Sequence, residues 1–411
     1  MVSSGSRRGV DASDSGRDLR SAQRPRDAHR HPAAAESLEP RRLLSAALAD
    51  SSLTSVPVTS PADLPEFGLQ QGKLKKLTIS DTDGDLVTFS LTGGGSGTLQ
   101  PDQRISLTNT TACSVFSISV RRHGGGGGDY YLSGISTDGL LKRIWAPRVN
   151  AMGIMELNTG GAAVGTSTTT IRLGTAGDAS LNTHGVPIHS LTLLDWKASN
   201  GVANVVTAPW IGSIVVLGDG PYALDFGDWM ADVVTTSSNH GVSIGSFKVA
   251  EYFDGANIWA SGSIGSISAG YILSGTRIAA ADGIGSISAG QMIDSDVLVG
   301  VGQDFEGHFT SAAADFANPA ATLKKLTITG LKWDRTEVYV SDSHISAPAV
   351  GTVLLVNVPA NTSPILHVLR DTGTLTLKSF SPDMLPAGTW NAAQPPRSGH
   401  ERPNLVDVLV D

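Results

Sequence analysis

Ile244-Gly245-Ser246-Phe247, Ile264-Gly265-Ser266-Ile267 and Ile284-Gly285-Ser286-Ile287 repeat one phrase within residues 243–302. Their spacing is 264 − 244 = 284 − 264 = 20 residues. Down the columns, Ile244/Ile264/Ile284, Phe247/Ile267/Ile287, Tyr252/Ile272/Met292 and Ile258/Ile278/Leu298 stay apolar and are expected to face inward. Asn257/Arg277/Val297 and Asp254/Ser274/Asp294 change chemistry from copy to copy and are expected to face solvent. A period of 20 with β-branched runs, Gly and Ser at the corners and no 3.6-residue periodicity predicts a coil of short parallel strands. Adjacent coils then lie about 4.8 Å apart. One rung cannot bury its own apolar face, which is why the unit has to repeat. The usual crossover preference makes this a right-handed parallel β-helix.

Composition agrees with that reading. The chain has 411 residues, 40% of them hydrophobic, with 47 glycines and only 17% charged residues, which suits thin strands and tight corners better than a helical globule. Mean hydropathy is +0.01 and no apolar run is long enough to span a bilayer as a helix. A net charge of −8, with no basic stripe interleaved with aromatics, argues against nucleic acid as a partner. The single cysteine, Cys113, leaves no internal disulfide, so burial and strand ladders must hold the fold.

Four regions follow in order. Residues 1–64 are rich in Arg, Asp, Ser, Pro and Ala and are expected to be disordered. They contain a cationic part but not the continuous apolar core of a standard secretory signal. Residues 65–140 read as a small antiparallel β domain that caps the first coil. Alternating runs flank the turn Asp81-Thr82-Asp83-Gly84-Asp85, and Asp-Gly between such runs signals a hairpin. Residues 141–381 carry degenerate rungs, with the longer insertion around 218–228 and a frame that loosens after Gly302 and returns at Leu323. Residues 382–411 read as a Pro-rich linker and a short terminal strand from Leu405 to Val410.

The heptad Leu38-Glu39-Pro40-Arg41-Arg42-Leu43-Leu44 resembles the LEPR-XLL motif found near the amino terminus of large, repetitive, exported bacterial proteins. The order of later phrases, Asp-Thr-Asp-Gly-Asp from Asp81, Ile105-Ser106-Leu107-Thr108, Thr137-Asp138-Gly139-Leu140 and then the rungs, is similar to the same group. The resemblance implies a secreted or cell-surface β-helical protein of largely unassigned activity. A polysaccharide or cell-envelope component is the expected partner, with no nucleic acid.

Chemistry is sparser. Asp81, Asp83 and Asp85 stand at alternate positions, a spacing used by calcium loops, but the EF-hand glycine falls at Leu86 and its closing glutamate at Thr92. Weak calcium binding is the most this turn suggests, and no other cofactor is indicated. Gly124 to Gly128 read as a flexible loop. Gly241-Val242-Ser243-Ile244-Gly245 matches a nucleophile elbow in letters only, because the rungs lack its strand-turn-helix context. Acids at Asp225, Asp228, Asp232, Asp254, Asp294, Asp296, Asp304 and Glu306, with Arg277 one coil from Asp254 and Asp294, are what a polysaccharide lyase or hydrolase would draw on. Their scatter favours an exported structural or adhesive protein without catalytic residues, with a carbohydrate-active enzyme as the alternative.

Overall fold

The computed structural model describes residues 64–202, 204–218, 227–331, 338–359, 366–369, 373–378, 387–391 and 406–408. The heptad at 38–44, the rest of the amino-terminal region and most of the Pro-rich segment lie outside them. The described chain is a β-solenoid of about ten coils preceded by antiparallel strands. Two long sheets run its length, and a four-stranded corner sheet lies beside them. Among the described residues, helix is confined to one 3-10 turn, Ala313–Asp315.

The repeat stacks as its letters require. Val242–Val249, Ser263–Ala269 and Gly283–Ala289 pair in parallel, with Ile244, Ile264 and Ile284 in one column and Phe247, Ile267 and Ile287 in the next. All six are at most 1% exposed. The glycine between them has a steric cause: a Cβ on Gly245, Gly265 or Gly285 would overlap the carbonyl oxygen of the glycine one coil earlier. Serine then points outward, so Ser213, Ser246, Ser266 and Ser286 form a ladder.

Two other expected columns are displaced. Tyr252 and Ile272 pair with Gln291, and the buried column is Phe253, Leu273, Met292 and Val340. Likewise Ile258 and Ile278 continue to Val297 and Ile345, not to Leu298. The cause is a coil one residue short: Ile264 to Ile284 spans 20 residues, whereas Ile278 to Val297 spans 297 − 278 = 19. The missing residue falls at the corner after Ala289, where the chain turns between sheets. Because side chains alternate in a strand, a slip of one exchanges the inward and outward sets.

The antiparallel part is continuous with the solenoid. Glu66–Gln70 pairs with Lys73–Lys75 and Ser96–Leu99, and Leu86–Thr92 pairs with Leu77–Ser80 and Val115–Arg121, all antiparallel. Parallel pairing starts before residue 141, between Arg104–Thr108 and Tyr130–Thr137. Phe67, Phe89 and Phe116 stack at 5.7–5.8 Å inside the same apolar core that runs on to Leu377. Farther along, Trp196, Trp229, Phe247 and Phe253 fill the interior with ring centroids 4.7–4.9 Å apart. At the far end Gly388–Asn391 returns antiparallel on Thr374–Lys378, and Val406–Val408 adds in parallel to Leu366–Val368.

The insertion after Gly300 folds over the outside of the first long sheet, the one that contains Asn257–Ala260, Arg277–Ala280 and Asp296–Val299. Phe316 and Val301 close on the outward-facing Ala279 and Leu298, a second buried cluster against which Trp259, Phe305 and Leu369 pack.

Candidate functional site

The Asp81–Asp85 turn brings its three carboxylates together, with one ligand atom of each within 4.8 Å of the others. The chain folds this way because Asp81 Oδ1 accepts the Asp85 amide at 2.8 Å, tightening the hairpin. The five-glycine run then closes over the turn. Gly127 N–H donates to Asp83 Oδ2 at 2.7 Å, Gly128 N–H to Asp85 Oδ2 at 2.6 Å and His123 N–H to Asp85 Oδ1 at 2.8 Å. Asp85 is wholly buried, and a Cβ on Gly126 would overlap its carboxylate. The loop expected to be flexible is thus tied to the turn by two charge-assisted hydrogen bonds of its own and a third from His123 just before it. The Gly127 amide is the main cause that holds Asp83 below the ordinary carboxylate range, whereas burial and then contact with Asp83 raise Asp81. Beside them, burial and then the charge of Asp81 push the Tyr130 phenol up to about 12. Calcium takes about six to eight oxygens. Most carboxylate oxygens here already accept amides, so the turn offers at best a partial coordination shell.

A second set of polar groups lies on the outer face of the first sheet. The corrected register places Asp232, Asn257, Arg277, Asp296 and His344 on successive rungs of one outward column. Arg277 therefore neighbours Asn257 and Asp296. Asp254 instead aligns with Ser274 and Ile293 in the corner sheet, so the expected grouping of Arg277 with Asp254 and Asp294 does not form.

Comparison of the chain with family models, curated proteins and solved structures returns no match.

The column is bonded between rungs at Asp232 and Asn257, and to the insertion at Arg277 and Asp296. Asn257 donates its backbone and side-chain N–H to Asp232 Oδ1 at 2.7 and 3.1 Å. The Arg277 guanidinium donates to the carbonyl oxygens of Phe305, Glu306 and Gly307 and lies over the Phe305 ring. Asp296 Oδ2 meets His308 Nδ1 at 2.9 Å. Burial pushes the Asp296 carboxyl up, opposed first by the His308 hydrogen bond and then by the charges of His308, His344 and Arg277. Phe309 packs its ring against His344 and His367, each at 4.6 Å between centroids. A groove of about 430 Å³ opens between Asn257, Trp259, Arg277 and Ala279 of the sheet and Gln303, Phe305 and Glu306 of the insertion.

A third set lies at the corner between rungs. Buried Asp195 pairs with Lys197 Nζ at 2.7 Å and accepts the Asp228 amide at 2.9 Å. Burial, then the Asp195 charge, pushes the Asp228 carboxyl up to about 6, and burial followed by Asp228 raises Glu251. Asp225 lies outside the described residues.

Ser243 lies in the strand Val242–Val249 at a register shift, where Val242 and not Ser243 pairs with Ser263; it is buried and its hydroxyl donates to the Ser237 carbonyl at 2.7 Å. Sequence reasoning passed over Trp259, Gln303, Phe305, His308 and His344. The available signal was an outward aromatic at Trp259, one residue after an inward isoleucine.

Proposed function

We propose that this is an exported or cell-surface β-helical protein with a structural or adhesive role, making extended contact with a polysaccharide or another cell-envelope component. One observation supports the reading most: among the described residues, the charged groups of the Asp81–Asp85 turn and of the outward column at Asp232 and Arg277 are engaged in holding the fold. Asp83 and Asp85 hold the glycine loop, Arg277 holds three carbonyls of the insertion and Asp232 holds Asn257. On the other sheet one outward ladder, Ser213, Ser246, Ser266 and Ser286, is small and neutral. A catalytic site needs titratable groups converging on substrate and held by a supporting shell. The resemblance of Leu38 to Leu44 to an export-associated motif adds the cellular address.

The test is a glycan array and a polysaccharide-cleavage screen with the purified full chain, together with fractionation of cells expressing it with and without residues 38–44. Envelope or medium location with binding and no turnover is the expected result. Sustained cleavage of a polysaccharide, or retention in the cytosol, would sink the reading. An alternative hydrolase reading draws on Asp228 and Asp195, two neighbouring carboxyls in unlike environments. In that case Asp228→Asn would abolish the cleavage.

A further inference from the structure

We propose that the groove between the Trp259 rung and the insertion is a binding subsite for a neutral saccharide. The proposal deepens the surface-contact reading by giving it a ligand class and a place. Trp259 is half-buried, with part of its surface packed against the Ala279, Leu298, Val301 and Phe316 cluster and part lining the groove. Its ring is therefore held in place before any ligand arrives, which reduces the ordering cost of binding. A held indole offers a flat apolar surface to the C–H face of a pyranose ring. Around it stand an amide on Asn257, a second amide on Gln303, the Glu306 carboxylate and the Arg277 guanidinium. Amides both donate and accept, a carboxylate only accepts and a guanidinium only donates, so the rim can meet hydroxyl groups in either sense. The volume, about 430 Å³, falls within the range of small-ligand clefts, about 300 to 1,000 Å³.

Two observations narrow the ligand class. The floor strands Asn257–Ala260 and Arg277–Ala280 are paired with neighbours on both sides, so a peptide has no strand edge there to extend. Recognition must come from side chains. The charge balance also disfavours an acidic sugar: the Arg277 guanidinium faces three insertion carbonyls and has Asp296 on the next rung, while Glu306 lines the groove and Asp232 lies one rung away.

The experiment is isothermal titration of the full chain with chitotetraose, cellotetraose, mannotetraose and trigalacturonate. At least one neutral probe should bind, and more tightly than trigalacturonate. Trp259→Ala should weaken that binding tenfold or more, about 1.4 kcal/mol. Because Trp259 also packs, Gln303→Ala combined with Glu306→Ala on the exposed wall should give a comparable loss with an unchanged melting temperature. Trp145→Ala serves as the control. That exposed indole lies on a distant rung beside Arg143 and Arg172, and its loss should leave affinity unchanged. No binding by any neutral probe, preference for trigalacturonate, or full affinity in both groove variants would overturn the proposal. Failure of the surface-contact reading looks different: groove-dependent sugar binding would persist in a protein that fractionates with the cytosol.

Discussion

Val297 and Leu298 are adjacent in one strand, point to opposite faces, and are both fully buried. Val297 belongs to the solenoid interior, whereas Leu298 lies beneath the insertion with Ala279 and Phe316. Their roles should separate on mutation. Val297→Asp places a carboxylate in the continuous core and should lower the melting temperature of the whole protein, because an unpaired buried charge costs several kcal/mol. Leu298→Asp should instead loosen the insertion, seen as rapid proteolysis within 302–318 while most of the β signal in circular dichroism survives. Equal loss of global stability in the two variants would mean that the insertion and the coils unfold as one unit.

The glycine ladder predicts a cost from adding a single methyl group. In Gly285→Ala the new Cβ meets the Gly265 carbonyl, a backbone atom that cannot rotate away. Overpacking of this kind costs about 1 to 3 kcal/mol. Chemical denaturation should show a lower midpoint for Gly285→Ala than for Ser286→Ala, whose side chain points outward.

The turn at Asp81–Asp85 predicts that the buried carboxylate matters more than any ion. In Asp85→Ala the buried amide of Gly128 and the partly buried amide of His123 lose their acceptors, and a buried orphaned amide costs about 1 to 3 kcal/mol. The variant should melt well below the wild type and be cut readily within 124–128. Calcium should bind the wild type only weakly, so a chelator should shift its melting temperature little. A fall of many degrees on chelation would instead assign the turn to a structural ion.

Asp228 predicts a pH dependence of stability. Its carboxyl titrates near 6 in the fold against an ordinary 3.8, so the native protein holds a proton that the unfolded chain has lost between those values. The resulting stability is fully present below about pH 4 and is lost as pH rises through about 6. Asp228→Asn should therefore raise the melting temperature at about pH 7.5 and leave it close to wild type at about pH 4. The same gain at both values would rule out titration as its cause.

The solenoid was legible in Ile244, Ile264 and Ile284 because stacking forces one residue type down each column. The hairpin at Asp83-Gly84 was legible because turn chemistry is local. The outer face was not. Leu298 is apolar on account of a cluster built by Phe316, and so imitated an inward position. The corner after Ala289 drops one residue, which moved Asp296 out of apparent line with Arg277. His308 reaches Asp296 and Arg277 reaches the 305–307 carbonyls only because the insertion folds back. Nor does spacing reveal that Gly127 closes on Asp83, since 127 − 83 = 44 residues separate them.

The stacking of parallel strands from the antiparallel cap to Thr374–Lys378 also sets how the molecule bears load. Tension applied between the two ends of the stack acts along the direction of the interstrand hydrogen bonds, opening them a few at a time instead of shearing a whole sheet. Each 20-residue coil released would add about 70 Å of contour length. A stack built in this way lengthens in steps under pull, with the remaining coils still folded.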